Sequence, residues 1–224
     1  MQNDDGGWGS FDRNNNRTVF DHIPFADWAA LLDPSTSDLT ARCLDFIGKL
    51  GINIDDHNVV RNAIQFLKSE QESDGSWFGR WGVNYLYGTW SVLTGLCSIG
   101  EDTSQDYIQR AVKWVKRVQN KDGGWGESCR SYDDVRLKAV GPSTASQTAW
   151  ALLSLFAAGD WKNNAVNNGI KYLLDTQNED GTWDEKEFTG TGFPTVFYLK
   201  YHMYPKYFPL LALGKYRNFV HNNT

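Results

Sequence analysis

Four copies of one short phrase punctuate this 224-residue chain. They read Gln2-Asn-Asp-Asp-Gly-Gly-Trp8, Gln71-Glu-Ser-Asp-Gly-Ser-Trp77, Gln119-Asn-Lys-Asp-Gly-Gly-Trp125 and Gln177-Asn-Glu-Asp-Gly-Thr-Trp183. The pattern is Q-x-x-D-G-x-W, and its glutamines stand 69, 48 and 58 residues apart. A fixed phrase at helix-pair spacing marks a repeat architecture, in which each copy performs the same structural task. Its Asp-Gly pair predicts a tight turn, with glycine free to take positive φ. The glutamine amide can bond backbone groups at the next helix end, and the tryptophan ring can pack over it. None of this needs a substrate. The phrase reads as a fastener between elements.

Amphipathic helices precede three of the four copies. Residues 57–70 place Val60, Ala63, Ile64 and Leu67 on one face, and residues 106–118 do so with Ile108, Ala111, Val112, Val115 and Val118. Residues 164–176 follow with Val166, Ile170, Leu173 and Leu174. Two stretches, 81–100 and 140–159, carry no charged residue. Twenty such positions could span a bilayer, but Ser, Thr and Gly dilute both, with Asn in the first and Gln in the second. They predict buried helices near 85–99 and 144–158. Half-exposed helices thus alternate with buried ones, and the repeated loop joins them. The fold class is all-α: an α/α toroid of helical hairpins, an incomplete α6–α6 barrel over residues 1–224. A stacked solenoid is the alternative, though its repeats are usually more even in length.

Net charge is −5, so there is no basic footprint for nucleic acid. Cys43, Cys97 and Cys129 are too widely spaced for a disulfide framework or a zinc pattern, which fits a reducing compartment. The acidic, glycine-rich start is unlike a signal peptide. Ten Trp, ten Tyr and twelve Phe make the chain 14% aromatic, more than a core of this size needs.

The repeat has a wider form, near 63–77, 111–125 and 169–183, with a shorter copy at 2–8. It reads Ala63-x-x-Phe66-Leu67…Gln71, Ala111-x-x-Trp114-Val115…Gln119 and Gly169-x-x-Tyr172-Leu173…Gln177. In this form it resembles the QW repeat of the triterpene cyclases. Longer strings agree: residues 74–89 (DGSWFGRWGVNYLYGT), 123–134 (GGWGESCRSYDD), 143–153 (STASQTAWALL) and 189–194 (TGTGFP). Together they resemble the carboxy-terminal part of the squalene–hopene cyclases over nearly the whole chain. The resemblance implies protonation of squalene, or a related isoprenoid, at a terminal double bond and ring closure through carbocations. It implies no metal or organic cofactor. Ring faces stabilise a cation without trapping it, which gives the aromatic surplus a use.

The resemblance also implies a site. Phe193, Phe197, Tyr201 and Tyr204 match cavity-lining aromatics. Their offsets of 0, 4, 8 and 11 place them within an arc of roughly 80° if residues 194–205 are helical. Read by spacing alone, they would be an ordinary core stripe. Trp81 and Tyr87 match cavity positions near the proton donor, although burial alone would also explain them. Phe25 and Trp28 resemble the segment bordering the substrate entrance, and Phe11 stands where the family can have Tyr. Asp38 and Arg42 lie one helical turn apart, where chemistry alone suggests a surface ion pair. The resemblance makes Asp38 an active-site acid and Arg42 the group that holds the catalytic acid, strengthening it as a proton donor.

The donor itself, the central Asp of a D-x-D-D motif, is not in the sequence. Asp4-Asp5, Asp55-Asp56 and Asp133-Asp134 do not form the motif and read as turn carboxylates. The expectation is a cyclase fragment truncated before that motif, inactive alone. The full-length protein would have a membrane surface and a homodimer partner. It would sit peripherally on the cytoplasmic side, whereas the isolated piece would be cytoplasmic. A non-catalytic helical scaffold would leave the aromatics as mere core. A protein prenyltransferase β subunit would need a zinc site, and no D-x-C pair is present.

Overall fold

The structure, a computed structural model, describes residues 1–17, 19 and 31–222. Seven helices follow in order among these residues: α1 (Ser37–Lys49), α2 (Asn58–Ser69), α3 (Tyr85–Ser98), α4 (Asp106–Arg117), α5 (Ala145–Ala157), α6 (Asn164–Asp175) and α7 (Tyr204–His221). Between α6 and α7 lies an antiparallel hairpin, β1 (Gly190–Phe193) and β2 (Phe197–Leu199).

The helices form two layers. α1 packs on α3, α3 on α5 and α5 on α7, while α2, α4 and α6 lie outside them. Composition dictates the sorting. α3 and α5 carry no charged side chain and are buried nearly all round, whereas α2, α4 and α6 bury one stripe each. The five helices read from hydrophobic period and missing charge appear within two residues of their expected bounds. Leu174 departs from its expected place, being 56% exposed. It is the eleventh residue of α6, where α2 and α4 have Lys68 and Lys116. Small residues let the inner layer close up: a β-carbon at Gly95 of α3 would collide with the Ala41 carbonyl of α1. No helix of the described residues is long and apolar enough to cross a membrane.

The repeated phrase is a three-way fastener. Gln71 Nε2 donates to Gly75 O in its own turn (2.9 Å) and to Tyr107 O (2.7 Å), the second residue of α4. Gln2 reaches Val59 O, the second residue of α2, at 2.8 Å, and Gln119 reaches Ala165 O, the second of α6, at 2.9 Å. The indole reaches backwards. Nε1 of Trp77, Trp125 and Trp183 donates to Leu67, Val115 and Leu173 O at 2.7–2.8 Å, each the tenth residue of the preceding outer helix. That carbonyl has no intrahelical partner, so the ring caps the helix end. The backbone N–H of Trp8, Trp77 and Trp125 donates to Thr40, Thr89 and Thr148 Oγ1 of the next inner helix at 2.9–3.0 Å. Glycine is required at the turn for two reasons. At Gly75 φ is +99°, and an added β-carbon would lie 2.8 Å from the Arg110 backbone.

Candidate active site

The loops that enter α1, α3, α5 and α7 carry the remaining unusual residues. Two buried carboxylates hold these helix starts, and neither is evident from the sequence. Glu127 Oε2 accepts from Leu86 N (3.0 Å) and Asn84 N (3.3 Å) at the start of α3. Glu185 accepts from Ser146 N (2.9 Å) and Ser146 Oγ (2.8 Å) at the start of α5. Helix N-termini present unpaired amides and favour negative charge. Burial nevertheless pushes both carboxyls above their ordinary range. Each stands two residues after a fastener tryptophan, and that spacing is the signal that could have found them.

At α1 the arrangement is reversed. Asp38, 1% exposed, belongs to the helix itself, and its Oδ2 accepts from Trp81 N of the next loop (2.8 Å). Its Oδ1 accepts from Leu39 N (3.0 Å). Burial raises its pKa against the pull of these amides. Asp38 and Arg42 do not pair, contrary to their spacing, because one carboxylate is already bonded to backbone inside the fold. The Arg42 guanidinium instead lies 4.4 Å from the centre of the Trp90 ring, and its Nη2 is 3.4 Å from the Tyr87 hydroxyl. Tyr87 is therefore buried against a cation; burial lifts its pKa and Arg42 draws it back.

Tyr87 opens a continuous aromatic cluster. Its ring meets Trp90 and Trp150 edge-on at 5.5 and 5.0 Å, and those two indoles stack with 8° between their planes. Phe208 stands edge-on to both at 5.1 and 5.5 Å, and Tyr204 meets Phe208 at 5.1 Å. Tyr201 adds itself to Tyr204 at 4.7 Å. Trp90, Trp150, Tyr207 and Phe208 are missing from the sequence-predicted set. Arg42, Trp90, Tyr207 and Phe208 border a cavity of about 470 Å³ between α1, α3 and α7.

The expected helix over 194–205 is a hairpin instead. Phe193 pairs with Phe197 across the turn, their ring centres 5.6 Å apart, so the helical arc does not exist. Gly190 and Gly192 explain this. Their bare α-carbons lie under the rings of Tyr201 and Phe197, where any β-carbon would collide. Thr195 takes φ +67° in the turn after Pro194. The chain returns through Phe197, Tyr198 and Leu199, and aromatic and aliphatic residues of this kind suit a pleated strand.

Trp81 and Phe193 border a second cavity, of about 250 Å³, together with Phe11 and Thr36. Trp81 Nε1 donates to Ser10 Oγ (2.9 Å), and Phe11 meets its ring edge-on at 6.2 Å. Of the site residues named from the sequence, Arg42 borders the larger cavity and Trp81 and Phe193 the smaller, whereas Asp38, Tyr87, Phe197, Tyr201 and Tyr204 are not among the residues lining either. Phe25 and Trp28 lie outside the described residues. The acidic pairs at 4–5, 55–56 and 133–134 all sit in turns or caps. Among the described residues no three His, Cys, Asp or Glu side chains converge.

The family is decided by one comparison. The family model described as the squalene-hopene cyclase C-terminal domain matches residues 1–218. The chain belongs to the squalene–hopene cyclase family. Its relatives in that family include the squalene–hopene cyclase of Zymomonas mobilis, 54% identical over 219 residues, covering 97% of this chain and 33% of the relative. The enzyme of that name from Bradyrhizobium diazoefficiens is 51% identical over 225 residues, covering 100% and 34%. Dammaradiene synthase of Dryopteris crassirhizoma is 44% identical over 239 residues, covering 97% and 35%. The chain spans about a third of the length of these relatives. Among solved structures, the type II terpene cyclase MstE from Scytonema superposes with a TM-score of 0.56 at 19% identity, over 86% of this chain and 50% of that one. That likeness concerns the fold, a helical toroid shared with the squalene–hopene cyclases.

Proposed function

We propose that this chain supplies one wall of the reaction cavity in a triterpene cyclase, which converts squalene or a related isoprenoid to a polycyclic product. The observation that carries the reading is the match of residues 1–218 to the cyclase domain. The aromatic cluster supports it. A cation moving through a ring-closing sequence needs stabilising surfaces that cannot attack it, and the rings of Trp90, Tyr207 and Phe208 at the larger cavity and of Trp81 and Phe193 at the smaller offer them.

In this reading Arg42 has a donor role towards a carboxylic acid. Its guanidinium is held over Trp90 and turned away from Asp38, which leaves it available to favour ionisation of an acid brought to the larger cavity. Asp38 then orients the Trp81 loop and is not itself the proton source. Phe25 and Trp28 remain proposed entrance residues. The full-length protein is proposed to work at a membrane surface, since squalene partitions into bilayers, and as a homodimer.

A chimera tests the proposal. The corresponding third of the Zymomonas mobilis enzyme is replaced by residues 1–224 and incubated with squalene, and the products are identified by mass spectrometry. Cyclised triterpenes are expected. Unchanged squalene from a chimera that unfolds cooperatively would overturn the reading. Relatives named for different products show comparable identity, so product identity is itself an outcome of this assay.

A further inference from the structure

We infer that Arg80 is a positioning residue, a strut that fixes the rings of Trp81 and Phe193 relative to one another. The inference rests on the cyclase reading for its consequence, but its geometry stands alone. Arg80 Nη1 donates to Gly192 O at 2.9 Å, joining loops 112 residues apart in sequence. The same guanidinium lies 4.5 Å from the Trp81 ring centre and 5.1 Å from that of Phe193. One side chain therefore touches both aromatic walls of the smaller cavity and the backbone between them.

The backbone of this region is already paired. Val83 N donates to Thr189 O at 3.0 Å, and Gly82 bridges Gly190, so residues 82–83 run beside β1 like a short third strand. Backbone pairing fixes the strands but leaves ring angles open. Trp81 has a polar handle in Ser10 Oγ; a phenyl ring has no polar atom, so the angle of the Phe193 ring depends on the surfaces against it. Those surfaces include Phe197 at 5.6 Å and the planar guanidinium. A guanidinium can stack on a ring and donate in its own plane at once, and an ammonium cannot. Arg80 is half-buried, and the carboxylates of Asp38 and Asp33 act on its charge.

The consequence for the proposed reaction concerns how far it runs. Cation stabilisation by a ring depends on the distance and tilt of its face. A loosened Phe193 or Trp81 would let a cation lose its proton before the last ring closes. The residue would then act on product distribution more than on substrate binding.

Two arms test this. In the first, Arg80→Met and Arg80→Lys are made in the 224-residue chain, and amide hydrogen exchange is followed in residues 189–199. Exchange there should accelerate about fivefold in Arg80→Met and less in Arg80→Lys, as loss of one side-chain-to-backbone hydrogen bond of about 1 kcal/mol implies, with α4 unchanged. Unchanged hairpin exchange in both variants overturns the strut. In the second arm the same substitutions enter the chimera. Partly cyclised products should rise about two- to fivefold over fully cyclised ones, the effect of about 0.5–1 kcal/mol of cation–π contact, with KM within about twofold. An unchanged product ratio in an active chimera overturns the link to cyclisation. If the unsubstituted chimera itself leaves squalene untouched, the cyclase reading has failed, and the exchange arm still decides whether Arg80 pins the rings.

Discussion

The third and fourth fasteners share Gln, Asn, Asp, Gly and Trp at matching positions, yet they hold different amounts of structure. Gln119 Nε2 bonds Gly123 O and Ala165 O, and the α-carbon of Gly123 backs onto Asn168 of α6. Gln177 Nε2 bonds only Gly181 O in its own turn among the described residues. A β-carbon on Gly181 would meet nothing closer than Gln177 itself, at 3.8 Å. Both tryptophans nevertheless cap the helix before them. The phrase therefore has two separable functions. Turn and helix cap form locally in every full copy; the forward tether forms only where a helix start is presented to it.

Substitutions at paired positions can break or sharpen this comparison. The largest effects should be equal: Trp125→Ala and Trp183→Ala each lose a buried ring and a helix cap, costing about 3–5 kcal/mol in urea unfolding. A much cheaper Trp183→Ala would mean that the fourth copy is not a working cap. Next come the glycines. Gly123→Ala must accept φ +89° and a clash with the Asn168 carbonyl, for about 3 kcal/mol; Gly181→Ala has the backbone strain without the clash, for about 1 kcal/mol. Similar melting shifts for the two would refute the packing difference. Gln119→Ala loses two bonds, about 2 kcal/mol, and Gln177→Ala loses one, about 1 kcal/mol.

The smallest effect is a pH dependence at the inner helix starts. Burial holds Glu127 and Glu185 above the ordinary glutamate value of 4.5. The folded chain binds more protons than the unfolded one between that value and the raised ones. The stabilising contribution is thus complete below the unfolded pKa and is lost as pH rises through the folded pKa. Relative to Glu127→Gln/Glu185→Gln, the unsubstituted chain should melt at progressively lower temperature as pH rises from 4.5 through the raised folded-state values. A melting difference independent of pH would contradict the raised values.

Much of the fold was legible because period and charge report burial directly. α2, α4 and α6 follow from a stripe of aliphatics, and α3 and α5 from the missing charges. The hairpin was not legible from aromatic spacing, since offsets of four suit a helix as well as rings folded back over Gly190 and Gly192. Deciding between them requires the close approach that those glycines permit. Asp38 and Arg42 show a similar limit. A four-residue offset puts them on one helix face, but it cannot show that backbone amides of the neighbouring loop claim the carboxylate first. Glu127 and Glu185 were legible only as a shared spacing, two residues after a fastener tryptophan; that spacing does not show that a helix start lies above the carboxylate.

The central claim is that the repeats hold the fold and the aromatics between them direct the chemistry. The most direct measurement compares Gln119→Ala with Phe193→Leu in the chimera, recording melting temperature and product ratio for each. Gln119→Ala should lower the melting temperature and leave the ratio of partly to fully cyclised products unchanged below it. Phe193→Leu should leave the melting temperature nearly unchanged and raise that ratio about two- to fivefold. The reverse result, a shifted ratio from the fastener variant and none from Phe193→Leu, would contradict the account.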